Sequence, residues 1–497
     1  MAVTALDWNA TRVRAVSGPL GDYAFSVPLD PPTLELPLAI HGQRVVGSAA
    51  LRQCKQTPTE VCQAFLPYLT WQSGQGPRWQ SLDARSACEI VWRKLQPVAV
   101  AANAKAVLLT VPGYMQSSQA DTLRRLGEQA PLPMLGSIPT TLAAALAGHV
   151  EQFWHRSVLV IDVDEYALTV GWVTSLAEKA HLIDTRSFPH LGLRFWHDRL
   201  INTLSDLFVW QHRRDPRDVP QAEQSLYDQL ELLIDAALQR RAIQLGIQGP
   251  QWFKHLLVYP EQTMQFCAPL VKKIAGEAEQ MLLSAPVGEM PRGILLTHQA
   301  GRLPGLVESL RALSQTNLPK RRRTSLAEEE DFGENLLFDS EEEPGGVLVL
   351  AADSPARAAH GLAELFCDGM LPVAHLETIV PLTPPPPVDA GPPRLHYRGH
   401  DYFLRDARFV IGAQYGCHLF FDRAEHPDVA DRHCEIIFEH RAFALHCRSR
   451  EPTLVNDRPV VDSMTLRAGD LIRLGLRGPT VQFLGKSVMR PVTMLAR

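Results

Sequence analysis

Asp164 and Glu165, directly after the strand-like run Val158–Asp162, are neighbouring carboxylates of the kind that do general acid and base work. Adjacent residues on a strand point to opposite faces, however, so the two would not converge on one proton. Their spacing reads as a solvated turn. Other chemistry-bearing patterns are missing from the sequence: no helix-borne H-x-x-x-H, no G-x-S-x-G and no G-x-x-x-x-G-K occurs. The eight cysteines are scattered singly, without a C-x-x-C pair or a ligand-like spacing to histidine. That usage suits a reducing cytosol and argues against a zinc site or a disulfide framework.

The elements that must position any site alternate in type. Strands are predicted at Val107–Val111, Val158–Asp162, Leu168–Val173 and Gly293–Leu296. Helices are predicted at Leu82–Gln96, Ser118–Gln129, Thr140–Phe153, Arg194–His212, Ala222–Ile243 and Arg302–Ser314. This alternation over residues 1–370 is the signature of an α/β domain. Within it, the basic run from Lys320 followed by acidic runs reads as a solvated insertion over 318–346, interrupted by the apolar island Leu336-Leu337-Phe338. The stretch 371–394 reads as a linker, because seven prolines between Pro381 and Arg394 favour a stiff extended spacer. Short alternating strands with polar turns over 395–490 predict a β-sandwich.

The 497 residues are enough for two or three domains, each with its own core. A hydrophobic content of 45% and a charged content of 21% fit a soluble globular chain. The net charge of −5 gives no reason to expect a nucleic-acid partner. The first residues lack the apolar core of a secretion signal, and the longest apolar stretch, Val98 to Val111, is broken by Asn103 and Lys105. The expectation is a cytoplasmic protein without direct membrane insertion.

From Val107 to Gly127 a β-branched strand runs into a Pro-Gly turn, then an amphipathic helix opened by a polar cap at Ser117 or Ser118. The Ala-rich helix Thr141 to Gly148 follows. This order resembles the ATPase domain of the seventy-kilodalton heat-shock chaperones, the DnaK family of the actin-like fold. The resemblance implies a two-lobed actin-like α/β fold over 1–370, with phosphate and magnesium contacts at Asp7, Thr11 and Asp162. Several of that family's motifs are replaced. The first phosphate turn, Asp-Leu-Gly-Thr-Thr in the family, is Asp7-Trp8-Asn9-Ala10-Thr11 here. Counting forward from the segment beginning Val45-Val46-Gly47, the catalytic lysine's position falls at Leu66, and the catalytic glutamate's position falls at Thr140. Neither side chain can neutralise or move charge during phosphoryl transfer. The second phosphate turn, Asp-Leu-Gly-Gly-Gly-Thr in the family, is Asp162-Val163-Asp164-Glu165-Tyr166-Ala167, whose extra carboxylates repel a triphosphate. On the adenosine side, Gly-Gly-Ser is replaced by His298-Gln299-Ala300, while Arg302, Leu303 and Pro304 match. No catalytic residue and no cofactor are expected, with ATP and magnesium as the alternative. Asp7 and Asp162 read first as caps of strand-end turns.

From Ile411 to Gly475 the motifs I-G-A, R-H-C-E-I, V-N-D and A-G-D-L-I-R-L-G resemble a forkhead-associated domain, the β-sandwich that reads phosphothreonine. Gly412, His433, Asn456, Leu466, Gly469, Asp470, Leu474 and Gly475 match its scaffold. Its reading residues do not match: the clamping arginine is Ala413, the Ser-Arg pair is Ala430-Asp431, and Asn-Gly-Thr is Glu451-Pro452-Thr453. Arginine contacts are what hold a dianionic phosphate tightly. Arg423, Arg432, Arg448 and Arg450 are nearby cations, and His433 reads as a packed histidine. The implied interaction face comprises Arg432, His433, Arg448, Arg450 and Asn456. Together the two resemblances imply a non-catalytic bacterial scaffold or adaptor with protein partners. The alternatives are a divergent ATP-binding chaperone and a phosphothreonine-dependent adaptor, with Thr324 or Ser325 as a phosphosite.

Overall fold

A computed structural model describes residues 1–20, 24–31, 33–42, 44–70, 79, 82–129, 133–151, 153–284, 291, 293–317, 346–371, 376–382, 393–398, 400–404, 408–439, 442–456, 458–466 and 470–484. The chain divides into two compact units, Met1–Thr383 and Pro384–Arg497.

The first unit is built on two mixed sheets of the same design. In one, the strands follow the order Phe25–Val27, Arg12–Pro19, Ala2–Trp8, Ala104–Val111, Met134–Pro139. In the other, the order is Lys179–Phe188, Leu168–Leu176, Ser157–Val163, Ile294–Leu296, Val347–Val349. In both, the first three strands are antiparallel neighbours and the last two join in parallel. Each central strand is buried along its length apart from half-exposed Ala2. Near-continuous apolar runs such as Val158–Ile161 are the expected consequence of packing on both faces.

The helix Thr140–Val150 lies between the sheets. Its Leu142, Ala143, Ala144, Ala145 and Leu146 share a core with Ala5, Val16 and Leu108 of one sheet and Val158, Val160 and Leu295 of the other. Small side chains are needed there: a Cβ added to Gly148 would lie 2.6 Å from the Leu295 side chain. On the far side of the first sheet, Trp8 packs on Trp92 with ring centroids 4.9 Å apart, and the Trp92 indole N–H donates to the Leu123 carbonyl at 3.1 Å.

Several elements differ from expectation. The helix predicted at Ala222–Ile243 is two helices, Pro220–Tyr227 and Leu230–Leu238, and Ile243 opens a hairpin with Trp252–Val258. The helix from Ala84 runs past the predicted end at Gln96 and through Pro97 to Ala101, although an interior proline forfeits a hydrogen bond and crowds the preceding turn. The cap of the Ser117–Glu128 helix is Gln116, not Ser117 or Ser118: its N–H donates to the Gln119 side chain at 2.9 Å, while the Gln119 N–H donates to the Gln116 backbone carbonyl. Within the stretch read as linker, Ile379–Pro381 is an edge strand on Lys179–Phe188, so the extended spacer does not begin at Pro381. Proline is tolerated at a strand end, where no ladder donor is needed. Residues 318–345 of the expected insertion lie outside the described residues. No helix among the described residues is long and apolar enough to cross a membrane.

The second unit is a β-sandwich. One sheet has the order His400–Phe403, Arg394–Tyr397, Thr480–Leu484, Leu471–Leu474, Thr453–Val455, Arg458–Pro459. The other runs Leu419–Phe420, Arg408–Gly412, Cys434–Glu439, Ala442–Cys447, Ser463–Thr465. Alternate residues such as Ile472, Leu474, Val481 and Phe483 fill its own core.

Candidate functional site

The matching design of the two sheets brings two hairpin turns together. Asp7 is the last residue but one of the central strand of the first sheet, and its Oδ1 accepts from the Thr110 hydroxyl at 2.7 Å, across the parallel pair Asp7–Thr110. Asp162 holds the same place in the central strand of the second sheet, and its Oδ1 accepts from the Thr297 hydroxyl at 2.8 Å, just past the pair Ile161–Leu296. Two residues after each aspartate comes an Asx turn. Asn9 Oδ1 accepts from the N–H groups of Thr11 and Arg12 at 2.9 and 3.0 Å. Asp164 Oδ1 accepts from those of Tyr166 and Ala167 at 3.0 and 2.9 Å.

The second oxygen of Asp164 joins the two turns. It accepts from the Ala10 N–H of the opposite hairpin at 2.8 Å and from the Tyr114 hydroxyl at 2.6 Å. The backbone N–H of Glu165 donates in the reverse direction to the Thr11 hydroxyl at 2.7 Å. Asp164 is only 1% exposed. The expected solvated turn is thus a buried carboxylate with four donors, three of them backbone N–H groups. Such groups are the donors with which a turn would cradle phosphate, and here one internal carboxylate occupies them. A buried acceptor removed from such donors leaves each unsatisfied, at about 1–3 kcal/mol apiece.

Burial dominates the acidity of the cluster. It raises the Asp162 carboxyl to about 7, helped by Asp164 and Asp7 and opposed by the Thr297 hydroxyl and Arg12. It also raises the Asp164 carboxyl, against the pull of its donors, Tyr114 first. Among the described residues, no group of three or more His, Cys, Asp or Glu is arranged to hold a metal ion. Asp7, Thr11 and Asp162, the residues implied for nucleotide and magnesium, are each engaged in an internal hydrogen bond. Leu66 is buried in a short 3-10 turn, and Thr140 is buried in the first turn of its helix.

A cavity of about 290 Å³ opens beside the turns, bordered among others by Arg12, Glu35, Glu165, His197, Glu231 and Arg302. Each of these six side chains has an internal partner of opposite charge. Glu35 meets Arg12 at 3.1 Å and Arg14 at 2.8 Å; burial opposes its charge, but the two guanidiniums outweigh it and lower its pKa. Arg302 meets Glu231 at 2.6 Å and Asp235 at 2.7 Å. His197 lies 3.7 Å from both Glu165 and Glu231, ion-pair rather than hydrogen-bond separations. Burial works against its charge, yet the two carboxylates raise it to about 10. At the rim the Lys55 N–H donates to Gln224 Oε1 at 2.7 Å, and the Lys55 ammonium lies over the Tyr227 ring.

In the second unit, backbone bonds gather several loops at one end of the sandwich. Gln414 N–H donates to the Asp431 carbonyl, Arg448 N–H to the His433 carbonyl, and Gly475 N–H to the Pro452 carbonyl. Gly412 is required for the first approach, because an added Cβ would stand 2.2 Å from the Asp431 oxygen. His433 is fully buried, its Nδ1 accepting from Ala430 N–H at 3.2 Å. Asn456, at φ +50°, holds a turn by accepting from Leu471 N–H at 3.0 Å and donating to Asp470 at 2.8 Å. Arg448 is paired with Glu435 at 2.7 Å. Arg432 and Arg450 are exposed. The implied face therefore separates into two buried or turn-forming residues, one paired cation and two exposed cations.

Sequence reasoning placed Asp164 in a solvated turn and missed Tyr114. The available signal was the i, i+2 relation of Asp162 and Asp164, which sets both toward one side, matched by Asp7 and Asn9. Nothing local marks Arg12, Arg14 and Glu35 as a buried network, since their partners come from different strands.

Comparison with known proteins agrees with both resemblances. A segment of 125 residues, 25% of this chain, is 31% identical to the chaperone protein DnaK of Deinococcus deserti. A 125-residue segment is likewise 32% identical to the chaperone protein DnaK of Deinococcus radiodurans. The chain spans only 20% of the length of either relative. Residues 409–475 match the FHA domain family. The chain thus carries an FHA domain at 409–475 together with a DnaK-like segment.

Proposed function

We propose that the protein is a non-catalytic scaffold or adaptor of the bacterial cytoplasm. In this reading its first unit is a two-lobed actin-like pseudo-ATPase, and its FHA domain contacts protein partners without depending on phosphothreonine. One observation carries the reading: the Asp164 carboxylate takes the three backbone N–H groups of Ala10, Tyr166 and Ala167 that a phosphate would need. Leucine and threonine at the positions of the catalytic lysine and glutamate support it further. A second reading, a divergent nucleotide-binding chaperone, is favoured by the cavity of about 290 Å³ beside the turns. Phosphate release from purified protein, compared with an Asp7→Asn/Asp162→Asn double variant, separates the two. The scaffold reading expects background rates in both proteins. A rate above background that disappears in the double variant sinks it.

A further inference from the structure

Two strands of the FHA domain set a pair of cysteines directly opposite each other. Cys434 opens the strand Cys434–Glu439, Cys447 ends the strand Ala442–Cys447, and the antiparallel register pairs them. Both lie on the core face of the sheet, in line with the buried pair Ile436–Leu445. The ladder bonds around them define the kind of pair they make. The Arg448 N–H donates to the His433 carbonyl at 3.0 Å, one residue beyond the pair on each strand. The Cys447 N–H turns away, to the Asp462 carbonyl at 2.9 Å. Cys434 and Cys447 are therefore a non-hydrogen-bonded pair, the closer of the two antiparallel types, with Cα atoms about 4.5 Å apart. That separation falls within the span of about 4.4–6.8 Å that a disulfide bridges. Both thiols are free. Cys434 is fully buried, and burial pushes its thiol well above the ordinary value. Cys447 is half-buried, its thiol donating to the Val460 carbonyl at 3.3 Å.

We propose that Cys434 and Cys447 are a modification site, joined in a reversible disulfide across the ladder by reaction with a low-molecular-weight disulfide. The more accessible Cys447 thiol loses its proton and attacks one sulfur of the reagent, whose other sulfur leaves as a thiolate and takes up a proton. Cys434, deprotonated in turn, attacks the Cys447 sulfur and displaces the second reagent thiol. The protein dithiol is oxidised by two electrons, and the reagent is reduced to two thiols. Because burial keeps Cys434 protonated, the closing step is the slower one. The bond ties the roots of two loops, 421–433 and 448–452, that meet through the Arg448–His433 bond, so oxidation stiffens that end of the domain. The proposal does not depend on the scaffold reading of the whole chain.

The test is to incubate the folded full-length protein with glutathione disulfide, block free thiols with iodoacetamide, digest with trypsin without reductant and map the peptides by mass spectrometry. Trypsin cleaves after Arg432, Arg441 and Arg448, so the two cysteines fall on separate peptides, 433–441 and 442–448. The expected product is those two peptides joined, absent without the oxidant and lost on treatment with dithiothreitol. Cys417, whose thiol donates to the Asp431 carbonyl at 3.5 Å, is the third thiol of the region, and Cys417→Ala should give the same crosslink. Calorimetry of the oxidised protein should show the FHA transition raised by about 5 °C or more, because the closed loop restricts the unfolded chain. Recovery of both peptides only in alkylated form, a link to Cys417 in place of the pair, or a crosslink that forms only in urea would each overturn the proposal. A crosslink with no rise in melting temperature would overturn the stiffening of the loop end.

Discussion

Asp164 holds two hairpins together with one side chain, and its neighbour Asp162 bears the electrostatic consequence. Both are buried, and burial disfavours the negative charge of each. The Asp162 carboxyl is raised from 3.8 to about 7, first by burial and then by Asp164 and Asp7. The sign follows from proton uptake. Between those two values the folded protein keeps a proton that the unfolded chain has released. This group therefore contributes full relative stability below its ordinary value, loses it as pH rises through about 7, and is flat above. Asp162→Asn, which retains an acceptor for the Thr297 hydroxyl, should become progressively more stable than the parent from about pH 4 to pH 7, with a level difference beyond. Urea unfolding across that range measures it, and a pH-independent difference would show that Asp162 is ionised throughout. At this scale the sequence was legible only in part. The buried role of Asp164 could not be read, because its partners Ala10 and Tyr114 lie far away in the chain, whereas the scaffold matches Gly412 and Asn456 of the FHA domain could.

Elements were read best where burial is one-sided or complete. The strands around Leu108, Ile161 and Val170 and the Ala-rich helix announce themselves through apolar runs. The strand Arg12–Pro19 does not, since Arg12 and Arg14 are polar by type yet buried through Glu35. The helix predicted at Ala222–Ile243 fails at Asp228-Gln229, where Gln224 bonds Asp228 at 2.7 Å and the chain turns. The edge strand Ile379–Pro381 was hidden by the prolines that follow it, although Val380 is fully buried and Glu377 N–H donates to the Ser137 carbonyl. It bears on where the first unit can be cut. A chain ending at residue 383 should melt cooperatively at close to the temperature of the first unit in the intact protein. One ending at 370 should melt several degrees lower, since a change of 1 kcal/mol shifts a large domain by about 2–4 °C. Scanning calorimetry of the two truncations decides it, and equal melting temperatures would show the edge strand to be dispensable.

At the scale of the molecule, two units with separate cores are joined through a proline-rich stretch, and the change from α/β to all-β was visible in the alternation of the sequence. What composition could not convey is that the first unit repeats one sheet design twice, and that the repeat brings Asp7 with Asn9 opposite Asp162 with Asp164. In the proposed reading this repeat persists without its phosphate: the internal carboxylate closes the turns that a nucleotide would otherwise bridge. Isothermal titration of the full-length protein with ATP, with and without magnesium, tests that claim most directly. The account predicts no saturable heat at millimolar nucleotide in the parent protein. A saturable, magnesium-dependent isotherm that is abolished by Asp7→Asn/Asp162→Asn would contradict it.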